Sequence, residues 1–241
     1  MSSYKGHSLF ALILAVMFFH NPLIIALTVI GANIPDFDHK CRKDNVYKMI
    51  ILGLLVFISL YILKLPFYIG LIIVFLGVAF YFSEHRSFTH SVFGILTLAS
   101  AVGLILIWSY QLLCDITVIS DTYLLMAILI ALVSFLFLNK RILLIFLGLF
   151  FISLFVFPHV KFTYVDLVLG LVLGLFSHTV LDSFTPAGVK LFAPISSKKF
   201  YRNFGIASVF ILILLSIFVH ILLLFDLFNR FIAKTVILTL V

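Results

Sequence analysis

Apolar side chains run almost without interruption through this chain, with breaks of only a few residues between runs. Hydrophobic residues make up 64% of its 241 residues and charged residues 10%, whereas soluble domains have about 45–50% apolar and about 25% charged residues. Because hydrocarbon cannot satisfy backbone polar groups, such runs fold as helices. The sequence therefore predicts an all-α polytopic transmembrane helical bundle. No linker or internal repeat divides it, so we expect a single integral membrane domain, 1–241.

Prolines and charge clusters separate about 7–9 predicted membrane segments. The first two flank Asn21-Pro22 and are short for spans, which need about 20 residues. We therefore expect them to form a short hairpin, retained as part of the fold and not cleaved as a signal peptide. The predicted segments cover roughly 8–19, 23–34, 49–63, 67–83, 88–111, 122–138, 142–157, 163–181 and 205–228.

Basic residues indicate the orientation of the bundle. When the segments are threaded alternately through the bilayer, one side receives Lys5, Lys40, Arg42, Lys43, Lys48, Arg86, Lys140, Arg141, Lys190, Lys198, Lys199 and Arg202. The other side receives only Lys64, Lys161, Arg230 and Lys234. By the positive-inside rule the first side is cytoplasmic. The net charge of +7 is then mainly an orientation signal, and we expect membrane lipids as partners and no nucleic acid.

Four polar clusters fall on this predicted cytoplasmic side. They are His7, the run Pro35-Asp36-Phe37-Asp38-His39, the run from Glu84 to Ser91, and His178-x-x-x-Asp182. Ionisable groups beside hydrocarbon are costly and usually functional, and His with Asp is a ligand set that suits Zn²⁺ or a similar divalent metal. The sequence therefore predicts one metal site on this side, with the ligands His7, Asp36, His90, His178 and Asp182.

Two of these clusters also allow a structural interpretation. The spacing of His178 and Asp182 stacks both side chains on one helix face, which suits one shared ion or, alternatively, a hydrogen bond on the helix surface. If the segment after Pro35 is extended, Asp36 and Asp38 face one way with Phe37 opposed. The alternative is an acidic loop at a helix end, with Lys40 and Arg42 as solvated partners.

The third cluster combines a helix start with a cation. Ser87 or Thr89 could cap a helix that begins near Phe88, and the planar guanidinium of Arg86 suits a phosphate or carboxylate. His85 beside it is a further candidate catalytic side chain. The alternative makes Arg86 a snorkelling interfacial anchor and His85 an exposed loop residue.

These motifs resemble a known family. Gly6-His7, Pro35-Asp36-x-Asp38, His85-Arg86-Ser87-x-Thr89-His90-Ser91 and His178-x-x-x-Asp182-x-x-Thr185-Pro186-x-Gly188 are similar, over most of residues 1–200, to the YdjM-type family of inner-membrane-associated metal-dependent hydrolases. The ligand order is distantly similar to that of zinc-dependent phospholipases C. The chain departs from these in having no downstream His/Glu pair, so a mononuclear or dinuclear site is expected instead of three zinc ions.

The resemblance and the clusters together predict an enzyme, a metal-dependent hydrolase acting at the cytoplasmic interface. The expected substrate is a phospholipid or other amphiphilic ester or phosphoester. Asp38 would take the proton and Arg86 would hold an anionic group. The alternatives are a metal or proton transporter that uses the same residues and a non-catalytic membrane scaffold.

Overall fold

The computed structural model describes residues 4–38, 43–83, 86–117, 121–157 and 161–239, without the side chains of Asp38, Lys43 and 226–239. Over these ranges the fold is all-helical, as predicted. The helices are α1 (Tyr4–Phe18), α2 (Pro22–Gly31), α3 (Lys43–Ile62), α4 (Tyr68–Phe82), α5 (Val92–Ile116), α6 (Thr122–Phe137), α7 (Lys140–Val156), α8 (Tyr164–Ser183) and α9 (Arg202–Thr239). Short 3₁₀ turns, Pro35–Asp38 and Phe88–His90, follow α2 and precede α5.

Four helices are long and apolar enough to cross a membrane. These spans are Asp44–Ile62, Val92–Ile116, Tyr164–Ser183 and Arg202–Phe225. Other apolar helices, including α1, α4 and α6, have only 10–17 residues. The transmembrane character of the bundle is thus supported, while the number of shorter helices that cross the bilayer stays a prediction.

Helix α2 lies inside the bundle. Every residue from Pro22 to Gly31 except Ile25 is buried, as expected for a helix that is apolar on all sides. Asn21 caps its start by accepting a hydrogen bond of 2.9 Å from the Leu23 backbone N–H. The mostly exposed apolar faces of α3 and α9, in which only 17% of each span window is buried, instead form the periphery.

The hairpin of α1 and α2 brings the start of the first helix to the end of the second. The amide of Asn33, just after α2, donates a hydrogen bond of 2.9 Å to the Ser8 hydroxyl of α1. His7 therefore lies close to the turn that carries Asp36.

Glycines allow α2 and α8 to pack at backbone distance. A Cβ added at Gly174 would lie 2.1 Å from the Thr28 carbonyl oxygen, and one at Gly31 would lie 2.9 Å from the Leu171 carbonyl oxygen. Such close approach is the known use of small residues between membrane helices. This contact fixes the depth and rotation of α8 relative to the end of α2.

Candidate metal centre

One face of α8 carries both the packing residues and the polar ones. Gly170, Gly174, His178 and Asp182 follow one another at intervals of four residues, which places them along one stripe of a helix. Because the two glycines hold this stripe against α2, His178 reaches the Ala32 carbonyl, with 2.6 Å between Nδ1 and the oxygen. A carbonyl only accepts, so Nδ1 donates. In a neutral ring Nε2 then carries the lone pair that a metal requires.

Asp182 lies at the centre of a convergent group of side chains. Its carboxylate is 3.5 Å from His7 Nε2, 3.3 Å from His90 Nε2 and 3.7 Å from His178 Nε2. Two further charged side chains adjoin this group. Arg86 Nε lies 3.3 Å from Asp182, and Asp36 Oδ1 lies 3.7 Å from His178 Nε2. We call this group the Asp182 cluster: His7, Asp36, Arg86, His90, His178 and Asp182.

The spacing in the Asp182 cluster fits the donor set of a metal ion. Four ligand atoms arranged tetrahedrally at about 2.0–2.2 Å from zinc lie roughly 3.3–3.6 Å from one another. The four separations between imidazole nitrogen and carboxylate oxygen are 3.3–3.7 Å, which is longer than the N–H···O range of about 2.7–3.2 Å. His7, His178 and Asp182 can each supply one atom within 4.8 Å of the others. The residues present therefore fit a divalent ion.

The charge and burial of the cluster also fit a cation site. His7, His90, His178 and Asp182 expose at most 3% of their side chains. With neutral imidazoles, the carboxylates of Asp36 and Asp182 exceed the single guanidinium by one charge. Buried charge is usually paired or bound to metal, so the cluster has the electrostatic character of a cation site.

The turn before α5 differs from the expected helix start. Helix α5 begins at Val92, and its N-cap is Ser91, which accepts a hydrogen bond of 3.0 Å from the Gly94 backbone N–H. The prediction that Ser87 or Thr89 caps a helix beginning near Phe88 is therefore wrong. Thr89 instead shares a hydrogen bond of 2.9 Å with Nδ1 of His90, and this contact orients the ring towards Asp182.

Arg86 is held at the end of α8. Its Nη1 donates a hydrogen bond of 2.8 Å to the Thr185 hydroxyl, which in turn donates one of 2.7 Å to the Asp182 carbonyl. A cation at this position also complements the negative end of the helix dipole. Arg86 has φ of +63°, a conformation that costs a residue with a Cβ about 1–2 kcal/mol. These contacts favour an internal ion pair over the snorkelling alternative.

The Pro35–Asp38 segment is a 3₁₀ turn and not extended. The geometry that would direct Asp36 and Asp38 the same way is therefore not present. Asp36 faces His178, whereas Phe37 packs between the rings of Phe80 and Phe137, at centroid distances of 5.6 and 5.1 Å. The Asp38 side chain and His85, both predicted as catalytic, lie outside the described residues.

The cluster is partly exposed at Asp36 and Arg86, and we call this part its opening. Asp36 and Arg86 expose 15% and 17% of their side chains, whereas those around Asp182 are almost fully enclosed. An incoming molecule would therefore meet the carboxylate of Asp36 and the guanidinium of Arg86 first.

Other polar groups lie away from the cluster or were not predicted from the sequence. His220 donates a hydrogen bond of 2.8 Å from Nδ1 to the Ser216 carbonyl of its own helix. Its ring centroid lies 6.1 Å from that of His20. The sequence did not predict two partners of the cluster, Thr185 for Arg86 and the Ala32 carbonyl for His178. The repeat of small and polar residues every four positions on α8 was a signal for the contact with Ala32.

Comparison with known proteins gives one result. The family described as YdjM inner membrane protein matches residues 1–241. Neither a curated protein nor a solved structure matches the chain.

Proposed function

The chain belongs to the YdjM inner membrane protein family, and from this premise we propose that it is a membrane-embedded metal-dependent hydrolase acting at the cytoplasmic interface. The observation that carries the proposal is the arrangement around Asp182. Three imidazole nitrogens face the Asp182 carboxylate, and that of His178 also faces Asp36, at the separations of ligands that share an ion. A purely structural network would not need so many metal-binding side chains around one carboxylate.

Each side chain of the Asp182 cluster has a proposed part. His7, His90, His178, Asp182 and Asp36 hold a divalent ion, with Zn²⁺ the best match to this donor set. Such an ion lowers the pKa of a bound water towards about 7 and polarises an ester or phosphoester oxygen. The Ala32 carbonyl fixes the His178 ring through Nδ1, as carbonyls that accept the other N–H of a metal-binding histidine do.

The remaining roles concern the proton and the substrate. We assign the proton to Asp38, two residues after Asp36, because a carboxylate not committed to the ion can act as a general base. The described hydrogen bond of Arg86 uses Nη1, and its Nε lies 3.3 Å from Asp182. The partial exposure of Arg86 suits an anionic group at the opening. His85, next to Arg86 in sequence, is proposed as an additional catalytic side chain.

The position of the cluster suggests the substrate class. His178 and Asp182 occupy the last turns of the span Tyr164–Ser183, so the opening lies near the headgroup level. An amphiphilic ester or phosphoester, such as a phospholipid, reaches this level without leaving the membrane. A transporter would place its ion site near the bilayer midplane, whereas the Asp182 cluster lies at one end of the helices.

Metal analysis of the purified protein, combined with a hydrolysis assay, tests the proposal. Wild-type protein should contain a stoichiometric divalent metal and hydrolyse mixed phospholipid or phosphoester substrates. His178→Ala should lose both, while His220→Ala, a histidine remote from the cluster, should lose neither. Wild-type protein without bound metal, and with hydrolysis no greater than that of His178→Ala, would refute the proposal and leave the scaffold alternative.

A further inference from the structure

The connection between α8 and α9, residues 184–201, forms a closed loop that we call the interfacial loop. Val189 and Phe200 exchange two backbone hydrogen bonds, of 2.9 and 2.8 Å. Leu191 is buried, and its carbonyl accepts a hydrogen bond of 2.9 Å from the Val92 N–H at the start of α5. The loop is therefore fixed against the same end of the bundle as the Asp182 cluster.

The outer surface of the interfacial loop is apolar at its tip. Phe192 and Ile195 expose 47% and 77% of their surface, although the loop lies beyond the span of α8 and before that of α9. Phe200 packs edge-on against Phe192, with ring centroids 5.6 Å apart. This contact supports the tip. Exposed aromatic and aliphatic side chains at the ends of membrane helices suit the headgroup region of a bilayer.

The charge of the interfacial loop has a single sign. Lys190, Lys198 and Lys199 lie in it and Arg202 follows it, whereas the sequence has no acidic residue between Asp182 and Asp226. The ammonium of Lys198 lies 5.9 Å from the centroid of the Phe200 ring, which places a cation directly beside the apolar surface. A lysine near an anionic membrane surface strengthens binding by roughly fivefold.

We propose that the interfacial loop binds anionic phospholipid headgroups of the adjacent leaflet. Phe192 and Ile195 lie below the headgroups, and Lys198 and Lys199 contact the phosphates. This binding needs no metal. Thr185, within the same loop, accepts the Arg86 hydrogen bond, so anionic lipids bound here collect beside the opening of the Asp182 cluster.

Lipid selectivity at the loop can be measured in the full-length protein. A bimane fluorophore is attached to Ser197→Cys, at an exposed position, in a background with Cys41→Ser and Cys114→Ser. The protein is reconstituted with phosphatidylcholine or phosphatidylglycerol brominated high on the acyl chain, and bimane quenching reports the lipid next to the loop. We expect a threefold to tenfold preference for phosphatidylglycerol at low salt.

Two variants separate this binding from general membrane electrostatics. Lys198→Gln/Lys199→Gln should reduce the preference to near one, whereas Lys140→Gln/Arg141→Gln, a basic pair on the same side of the bundle, should preserve it. Ile195→Ser should weaken quenching by both lipids and leave their ratio unchanged. Equal quenching of the wild type by both lipids, or equal loss of the preference in both double variants, would overturn the inference. Retained metal in Lys198→Gln/Lys199→Gln would show that any such failure does not concern the proposed hydrolase.

Discussion

At the scale of single residues, Asp182 determines the chemistry of the cluster. It is 2% exposed, and its two oxygens face one guanidinium and three imidazoles. Removing one partner of a buried charge leaves the other uncompensated, which typically costs about 3–5 kcal/mol. Asp182 is therefore a poor residue for separating catalysis from stability, and the partly exposed residues at the opening are better.

The two aspartates of the Pro35–Asp38 turn can test whether metal binding and proton transfer are separate roles. We expect Asp38→Asn to keep the metal and to lower the hydrolysis rate by about 10²–10⁴-fold, because the general base is lost. Asp36→Asn should lower metal content, since Asp36 is the carboxylate that faces His178. Metal content and rate are measured on the same preparations. An unchanged rate in Asp38→Asn, with Asp36→Asn inactive but metal-loaded, would reverse the two assignments.

Arg86→Lys tests the guanidinium fork at constant charge. Lysine offers a point charge and cannot reproduce the paired contacts to Asp182 and Thr185. If Arg86 holds the anionic group of the substrate, the lysine variant loses a hydrogen bond to that group. Such a bond to a charged group contributes about 1.5–3 kcal/mol, so kcat/KM on an anionic substrate should fall roughly 10–100-fold. The matched control is Arg141→Lys, on an exposed residue at the start of α7. If both variants hydrolyse the substrate at the wild-type rate, Arg86 has no role in binding it.

At the scale of helices, the site depends on how closely α8 approaches α2. The hydrogen bond between His178 and Ala32 requires the backbones to meet at Gly174, where no Cβ fits beside the Thr28 carbonyl. The geometry of the proposed ligands is thus set by residues outside the Asp182 cluster. The packing of two apolar helices is therefore a condition for the proposed metal binding.

Gly174→Ala should therefore impair both stability and metal binding. The added methyl would lie 2.1 Å from the Thr28 carbonyl oxygen, and overpacking of this kind typically costs about 1–3 kcal/mol. Thermal unfolding in detergent and metal content are the two measurements. Gly148→Ala in α7, where nothing lies within 4 Å of an added Cβ, should keep its metal and unfold no earlier than the wild type, because alanine favours helix. Normal metal content and stability in Gly174→Ala would contradict this account.

The sequence predicts the elements better than their contacts. Hydrophobic runs place α8 at 163–181, against Tyr164–Ser183 observed, because the membrane selects long apolar helices directly. The predicted start of α5 was wrong. Ser87, Thr89 and Ser91 are equally plausible caps in sequence, and only the 3₁₀ turn at Phe88–His90 selects Ser91. The hydrogen bond between Arg86 and Thr185 joins residues far apart in the chain, and no local pattern encodes it.

At the scale of the whole molecule, basic loops and the Asp182 cluster share one end of the bundle. The Asp182 cluster, the interfacial loop and the basic pair Lys140-Arg141 all lie at helix ends on the side predicted to be cytoplasmic. The opposite end carries Asp115 and Asp121. A hydrolase placed this way would meet lipids of one leaflet only, so the orientation of the bundle decides which leaflet supplies the substrate.

This orientation can be tested with single cysteines in a background with Cys41→Ser and Cys114→Ser. Lys140→Cys and Lys199→Cys report the basic end, and Asp115→Cys reports the other; all three positions are exposed. Because basic loops are retained in the cytoplasm, a membrane-impermeant maleimide should label positions 140 and 199 in inside-out vesicles and position 115 in right-side-out vesicles. Labelling of all three from both sides after detergent addition confirms that each thiol is reactive. If positions 140 and 199 react in right-side-out vesicles, the cluster faces the outer side, and the cytoplasmic placement of the proposed hydrolase is wrong while its metal site is unaffected.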